Sequence, residues 1–222
     1  MRHKGVIHRI EHGEIGYPAV LNDRLGMAAP GCLYTLGNTA IIHNRLLGLL
    51  CSISCPGSIV IKTFDVVREI RDAGITVVGS FHSPMERQCL DILLRGKQPV
   101  VLCAAKGLSG LRLGNDARCA ISENRLLVVS QFDQDVRRTT AVQAVQRNDL
   151  VAGLADVILV PYAVPGGKIW ATICHVRNQG QIVITFADKE NSRLIESSVY
   201  ALAPGVVVEH LLSLFNDALN IL

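Results

Sequence analysis

Apolar positions along this chain alternate between two rhythms. Leu46 to Ile53 is an apolar run of the kind that lies buried on both faces of a parallel sheet. From Ser58 to Ala73 the apolar residues Val60, Phe64, Val67 and Ile70 recur three or four apart, which predicts a helix closed by Gly74. Strand-like runs return at Ile75–Val78, Pro99–Cys103, Leu126–Ser130, Val157–Val160 and Ile182–Phe186. Helical spacing returns at Pro84–Arg95, Val136–Leu154 and Gly167–Asn178. Strands and helices in strict alternation predict βαβ units joined by right-handed crossovers. The expected fold is α/β: a doubly wound, mainly parallel sheet with helices on both faces.

Three segments break the alternation. Residues 1–45 are rich in Gly, Pro and Asn and are expected to form an irregular or partly stranded cap packed on the core. Residues 46–187 form the main domain. Within it, residues 104–124 make a connection long enough to suggest a use, carrying Lys106, Arg112 and Arg118. Residues 188–222 are a C-terminal extension ending in a predicted helix, Val206–Leu222. Its apolar face (Val208, Leu211, Leu212, Phe215, Leu219) either docks on its own domain or offers a homodimer surface.

Composition narrows the class without deciding it. With 49% hydrophobic and 18% charged residues in 222, the chain can build a large core. The net charge of +3 permits a polyanionic partner and does not demand one. Aromatics at 5% leave no visible stacking platform for nucleic acid. Seven cysteines, most inside apolar runs, read as small buried hydrophobes in a reducing compartment, with Cys51 and Cys103 expected in strands and Cys89 and Cys174 in helices. No metal spacing is present, and no apolar stretch approaches the roughly 18 residues that span a bilayer. The N-terminus does not read as a signal peptide. The expectation is a cytoplasmic protein without membrane contact, metal or cofactor.

Candidate chemistry gathers at three places. Gly79-Ser80-Phe81-His82-Ser83-Pro84-Met85-Glu86 joins a strand to a helix, with Ser83 as N-cap, Pro84 at the first helical position and Glu86 completing a capping box. A corner at the carboxyl end of a strand is where open α/β sheets bind ligands, and a helix N-terminus suits an anion such as phosphate. Pro165-Gly166-Gly167-Lys168 is a second such corner, with glycines for close approach and a cation. The third is Arg147-Asn148 on the helix opened by Asp135-Val136-Arg137-Arg138, where a guanidinium fork can grip a phosphate. The turn Ser54-Cys55-Pro56-Gly57-Ser58 lacks the G-x-G-x-x-G pattern, which disfavours an NAD-type site, and no Walker A sequence occurs. His82 is the histidine on a candidate ligand loop, a hydrogen-bonder first and an acid or base second.

These residues carry a resemblance to the DNA-processing protein A (DprA/Smf) family of the Rossmann-like SLOG superfamily, from about Tyr17 to Phe186. Tyr17-Pro18, Leu21, Pro30-Gly31-Cys32-Leu33-Tyr34 and Gly37-Asn38 resemble its entry motif. Gly79-Ser80-Phe81 stands at its S-G-L-A turn and approaches a G-F-H-S-P-M-E variant of a shorter subgroup. Arg147-Asn148 and Val151 to Val160 resemble its R-N-R-I-I-A-G-L-S-D-x-V-L-V-V block, the most specific of the matches. Where the family has G-S-R after the first strand, this chain has Cys51-Ser52-Ile53 and lacks the phosphate-reading arginine.

The resemblance implies a Rossmann-like, non-enzymatic protein that binds single-stranded DNA in DNA processing or transformation, often as a dimer and with a recombinase as partner. The expected cleft combines Ser52, Gly79, Ser80, Phe81, His82, Ser83, Glu86, Arg147, Asn148, Pro165, Gly166, Gly167 and Lys168. Lys106, Arg112, Arg118, Arg137 and Arg138 would form a basic rim. One alternative keeps the cleft and makes the protein a sensor of a nucleotide or nucleotide-derived ligand. Another is a nucleoside monophosphate phosphoribohydrolase, disfavoured because Ile173 stands where that chemistry needs a carboxylate.

Overall fold

The computed structural model describes residues 6–217. Its centre is one nine-stranded sheet in the order β1-β2-β6-β5-β4-β3-β7-β8-β9. The strands are β1 (Ile7–Glu11), β2 (Cys32–Gly37), β3 (Leu46–Leu49), β4 (Thr76–Gly79), β5 (Val100–Cys103), β6 (Leu126–Ser130), β7 (Val157–Leu159), β8 (Ile182–Phe186) and β9 (Tyr200–Leu202). From β6 to β9 every neighbouring pair is parallel, while β1 and β2 add an antiparallel margin. This is the α/β, doubly wound, Rossmann-like architecture that the alternating rhythm predicts.

Helices cover both faces because the strands are apolar on both. Leu47, Leu49, Val77, Val100, Leu126 and Leu159 face α2 (Gly57–Asp72), α3 (Pro84–Leu94), α4 (Asn115–Ser122) and α8 (Val207–Asp217). Leu46, Val78, Val101, Leu127, Ile158 and Val183 face α1 (Val20–Leu25), α5 (Ala141–Leu154) and α6 (Lys168–Asn178), with Leu194 of α7 (Ser192–Glu196) beside them. Gly48 is needed on the second face: a Cβ there would come within 2.8 Å of the Ala155 Cβ, so the end of α5 could not lie against β3. Arg24 of α1 ties down that end, donating to the Gly153 carbonyl at 3.1 Å and to Asp156 at 3.2 Å, while Asp156 accepts the Leu46 N–H at 2.8 Å.

Several boundaries differ from the sequence expectation. The first parallel strand stops at Leu49, not Ile53, and Cys51 lies in the loop beyond it. The chain leaves the ladder because Ser52 N–H bonds instead to the Tyr162 carbonyl, 3.0 Å away in the loop after β7. The helix expected from Val136 begins at Ala141, where Thr140 and Gln143 form a capping box. Val136 belongs to the preceding turn, its carbonyl accepting the Gly107 N–H at 2.8 Å. The connection at 104–124 contains α4, and the segment 1–45 supplies two strands of the sheet.

The C-terminal helix docks on its own molecule: Val207 and Leu211 are buried against the α2 side, joined by Leu214 and Phe215. Leu212 faces outward, and Leu219 lies outside the described residues. At the opposite margin β1 is an edge strand on which His8, Arg9 and Glu11 are exposed and only Ile10 is buried. No helix among the described residues is long and apolar enough to cross a membrane.

Candidate functional site

Winding reverses between β3 and β7. After β3 the chain lays β4, β5 and β6 to one side, and then crosses back to place β7 on the other. Such a reversal opens a crevice beyond the carboxyl ends of the strands, where ligands bind in doubly wound sheets. A pocket of about 330 Å³ occupies it. Its walls come from the loop after β3 (Cys51, Ser52, Ile53, Ser54), the corner after β4 (Ser80, His82, Ser83, Glu86), one face of α5 (Ala144, Arg147, Asn148) and the corner into α6 (Val164, Lys168, Ile169).

The corner after β4 is built around Glu86. Its carboxylate accepts the Ser83 N–H at 2.9 Å, the His82 N–H at 3.0 Å, the Ser80 hydroxyl at 3.2 Å and the Cys51 N–H at 3.3 Å. Ser83 returns the capping box by accepting the Glu86 N–H at 3.2 Å. The Glu86 carboxylate thus takes up the N–H groups of His82 and Ser83 just ahead of α3, the Ser83 hydroxyl takes the Glu86 N–H, and Pro84 has none to give, so few donors of this corner remain for a ligand anion. Glu86 also ties the β4 corner to the β3 loop, so it fixes the shape of the pocket. Phe81 adopts a positive φ of 46°, and its ring folds back over Gly79, where a Cβ would meet it at 2.9 Å. Its side chain joins the core instead of the pocket.

The cationic half is different. Arg147 is only 7% exposed, yet its Nε is one of three buried side-chain polar atoms without a hydrogen-bond partner among the described residues. One terminal nitrogen donates to Asn148 Oδ1 at 2.9 Å. Burial pushes the guanidinium's pKa down, while Glu86 and Cys103 push it back up, and an arginine stays charged at any working pH. A buried cation with an unsatisfied donor, on a residue that lines a pocket, is chemically suited to an oxyanion. Beside it, α6 starts at Lys168 with Gly167 as N-cap and no side-chain cap. Its first N–H groups and its positive dipole end remain for an anion. His82 is held below its ordinary pKa of 6.5 by partial burial and then by Arg147 and Arg87, with Glu86 opposing and Lys168 adding to the fall. These influences favour the neutral imidazole.

Of the residues expected in the cleft, Ser52, Ser80, His82, Ser83, Glu86, Arg147, Asn148 and Lys168 line this one pocket. Gly79 ends β4 beneath Phe81, Gly167 caps α6, and Pro165 and Gly166 form an exposed turn outside the lining. Lys106, Arg112 and Arg137 line a separate groove of about 440 Å³ formed by the loops after β5 and β6. Arg118 bonds to Asn115 on α4, and Arg138 is exposed in the loop before α5; neither lines the pocket or this groove. Cys51, Ile53, Ser54, Ala144, Val164 and Ile169 line the pocket and lie outside the set expected from the sequence. Ile53 was hidden by the apolar run that continues past the end of the strand, and Ala144 lies one turn before Arg147, a spacing that could have found it. Ile173, at the position a phosphoribohydrolase would fill with a carboxylate, is buried in the core.

The family model described as DNA recombination-mediator protein A matches residues 8–205. Among solved structures, DNA processing protein A from Helicobacter pylori is similar at 16% identity and a TM-score of 0.77, covering 96% of this chain and 99% of its own. DNA processing protein A from Streptococcus pneumoniae is similar at 15% identity and a TM-score of 0.76, covering 91% and 74%. The molybdenum cofactor binding protein of Rippkaea orientalis shares the fold more loosely, at 9% identity and a TM-score of 0.55, covering 78% and 98%. No curated protein matches the sequence.

Proposed function

This chain belongs to the DNA recombination-mediator protein A family, and on that premise we propose that its switch-point pocket binds single-stranded DNA by a backbone phosphate, in DNA processing. The Helicobacter pylori protein of the same fold is described by its single-stranded DNA binding mode. The observation that carries the reading is Arg147, a buried arginine that lines the pocket and whose Nε has no hydrogen-bond partner. It supplies a phosphate fork in a chain whose loop after β3 holds Ile53 in place of the family's arginine. Asn148 orients it, the uncapped start of α6 adds N–H donors, and Lys168 adds charge from the rim. The loops bearing Lys106, Arg112, Arg137 and Arg138 continue the basic character along the same edge of the sheet. A recombinase partner, a homodimer and a cytoplasmic location belong to the same reading.

The protein acts as a binder and not as a hydrolase in this reading. Glu86, the carboxylate in the pocket wall, is committed to four donors, and Ile173 offers no carboxylate at the other corner.

The test is a salt titration of oligonucleotide binding. Losing a charge-assisted hydrogen-bond donor is expected to cost about 1.5–3 kcal/mol, so Arg147→Ala weakens binding by roughly tenfold to a hundredfold. One phosphate contact fewer flattens the log–log salt slope by about 0.7. Lys168→Ala, at an exposed position, should flatten it without lowering the melting temperature. Unchanged salt slopes in both variants would overturn the site. A free mononucleotide bound as tightly as an oligonucleotide would move the assignment to a nucleotide sensor.

A further inference from the structure

The loop between β3 and α2 holds two cysteines that meet. Cys51 is buried at its start, and Cys55 is half-buried at its end. The chain bends at Ile53-Ser54 between them, and the two thiols share a hydrogen bond. That bond, and then burial, pushes the Cys51 thiol up; the same bond pulls Cys55 down against the effect of its own partial burial. The proton therefore stays on Cys51, and the thiolate forms on Cys55. Cys55 directly precedes Pro56, the N-cap of α2, and no side chain caps that helix. The positive end of its dipole favours a thiolate as well. The neighbouring sulfurs are of another kind. Cys89 on α3 is buried and donates its S–H to the Met85 sulfur at 3.4 Å, and burial pushes its thiol up. Cys119 is exposed on α4, but its S–H donates to Glu123 at 3.2 Å, and that bond pushes its thiol up. Among the described residues no group of three His, Cys, Asp or Glu side chains is placed to hold a metal. Two thiols in contact are left with sulfur chemistry.

We infer that Cys51 and Cys55 are a dithiol oxidised by hydrogen peroxide to a reversible disulfide, with Cys55 the reacting and Cys51 the resolving residue. The Cys55 thiolate attacks one oxygen of the peroxide. The O–O bond breaks, and hydroxide leaves and takes up a proton as water. Cys55 is then a sulfenic acid. The Cys51 sulfur attacks it, the S–S bond forms and the S–O bond breaks. The hydroxide leaves with the Cys51 proton as a second water. The two thiols have lost two electrons, and the peroxide has gained them. A thiol reductant returns the pair by exchange. In a reducing compartment a disulfide of this kind is transient and senses oxidant. Cys51 lines the switch-point pocket and gives its N–H to Glu86, so the bond forms within the loop that walls the pocket. The chemistry needs no ligand in that pocket and stands apart from the single-strand reading.

The experiment treats the folded, reduced chain with increasing hydrogen peroxide, blocks the remaining thiols with iodoacetamide and digests with trypsin. Cleavage after Arg45 and Lys62 leaves both cysteines in one peptide, 46–62. That peptide should lose the mass of two hydrogens and escape alkylation at peroxide doses that leave Cys119 open to it. Dithiothreitol should restore both thiols. The order of reaction is diagnostic: exposure alone would put Cys119 first, whereas thiolate character puts Cys55 first. Cys51→Ala keeps a small apolar side chain, and in it Cys55 should accumulate as a sulfenic acid trapped by dimedone. Cys55→Ser should leave Cys51 unoxidised. Oxidation of Cys119 ahead of peptide 46–62 would overturn the pair, as would a link between Cys55 and Cys89. Should the Cys51 variant not fold, the wild-type peptide map decides by itself. Every readout is of sulfur and none of oligonucleotide binding, so failure here leaves the single-strand reading standing, and failure of that reading leaves the pair standing.

Discussion

At the scale of single residues the pocket is a division of labour among charges. Glu86 is spent inward, on the two loops it joins, and Arg147 is held in reserve. His82 feels both charges, and its behaviour gives a direct readout. Its pKa in the free protein lies below 6.5 because partial burial and then the Arg147 and Arg87 charges disfavour the imidazolium. A phosphate seated beside Arg147 adds negative charge and must raise it. Binding then takes up a proton in the window between the depressed free value and the raised bound value. Affinity is expected to tighten as pH falls through the raised bound value, and to level off below the free pKa, where both states are protonated. His82→Gln should give a flat profile, and the His82 ring signal in NMR should titrate higher with ligand than without. An unshifted titration would place the phosphate elsewhere. The Glu86 role was half legible: its N-cap partnership follows from Ser83 three residues earlier, but its reach to Cys51, 35 residues back, is a tertiary fact that no local pattern encodes.

At the scale of elements, the placement of Arg147 depends on α5. That helix starts at a capping box in which Thr140 accepts the Gln143 N–H at 3.2 Å and Gln143 accepts the Thr140 N–H at 2.8 Å. Thr140→Ala should lower stability by about 1 kcal/mol, read as a shifted urea midpoint with unchanged slope. Arg147 lies two turns further on, so oligonucleotide affinity should stay within about twofold. A large affinity loss would mean that the first turn itself touches the ligand. Helical periodicity read this element correctly in kind and misjudged its start, because Val136 continued the apolar rhythm while its backbone was committed to the turn against Gly107. The same cause lengthened the strand at Leu46: Leu50 and Cys51 are buried like strand residues but lie beyond the ladder. Burial pattern reports an environment, and hydrogen-bond partners decide the element. Residues 1–45 were opaque for another reason. Their strands pair antiparallel at the margin, and β2 meets β6 across nearly a hundred residues of chain, as in Tyr34 opposite Ser130.

At the scale of the molecule, the carboxyl edge of the sheet offers two stations. The pocket stands over β3, β4 and β7, and the groove of Lys106, Arg112 and Arg137 stands over β5 and β6. About three strand spacings of ~4.8 Å separate them, roughly 14 Å. At ~3.4 Å per stacked step a strand covers that distance in about four nucleotides. Affinity should therefore climb with oligonucleotide length up to about four to six nucleotides, and further length should add little. The double variant Arg137→Ala/Arg138→Ala should flatten the climb without changing mononucleotide binding. A climb that survives in that variant would remove the groove from the path.

The margin formed by β1 limits how this molecule can meet its own kind. Its outward backbone groups could template another strand, but His8, Arg9 and Glu11 fringe them with charge, and Arg9 is already paired to Glu11 at 2.6 Å. The far margin, β9, is three residues long. Sheets of two copies are thus poorly suited to fuse into one continuous ribbon. A symmetric pair would more readily meet through helices or loops, with its twofold axis across a helical layer of the molecule instead of along a shared strand.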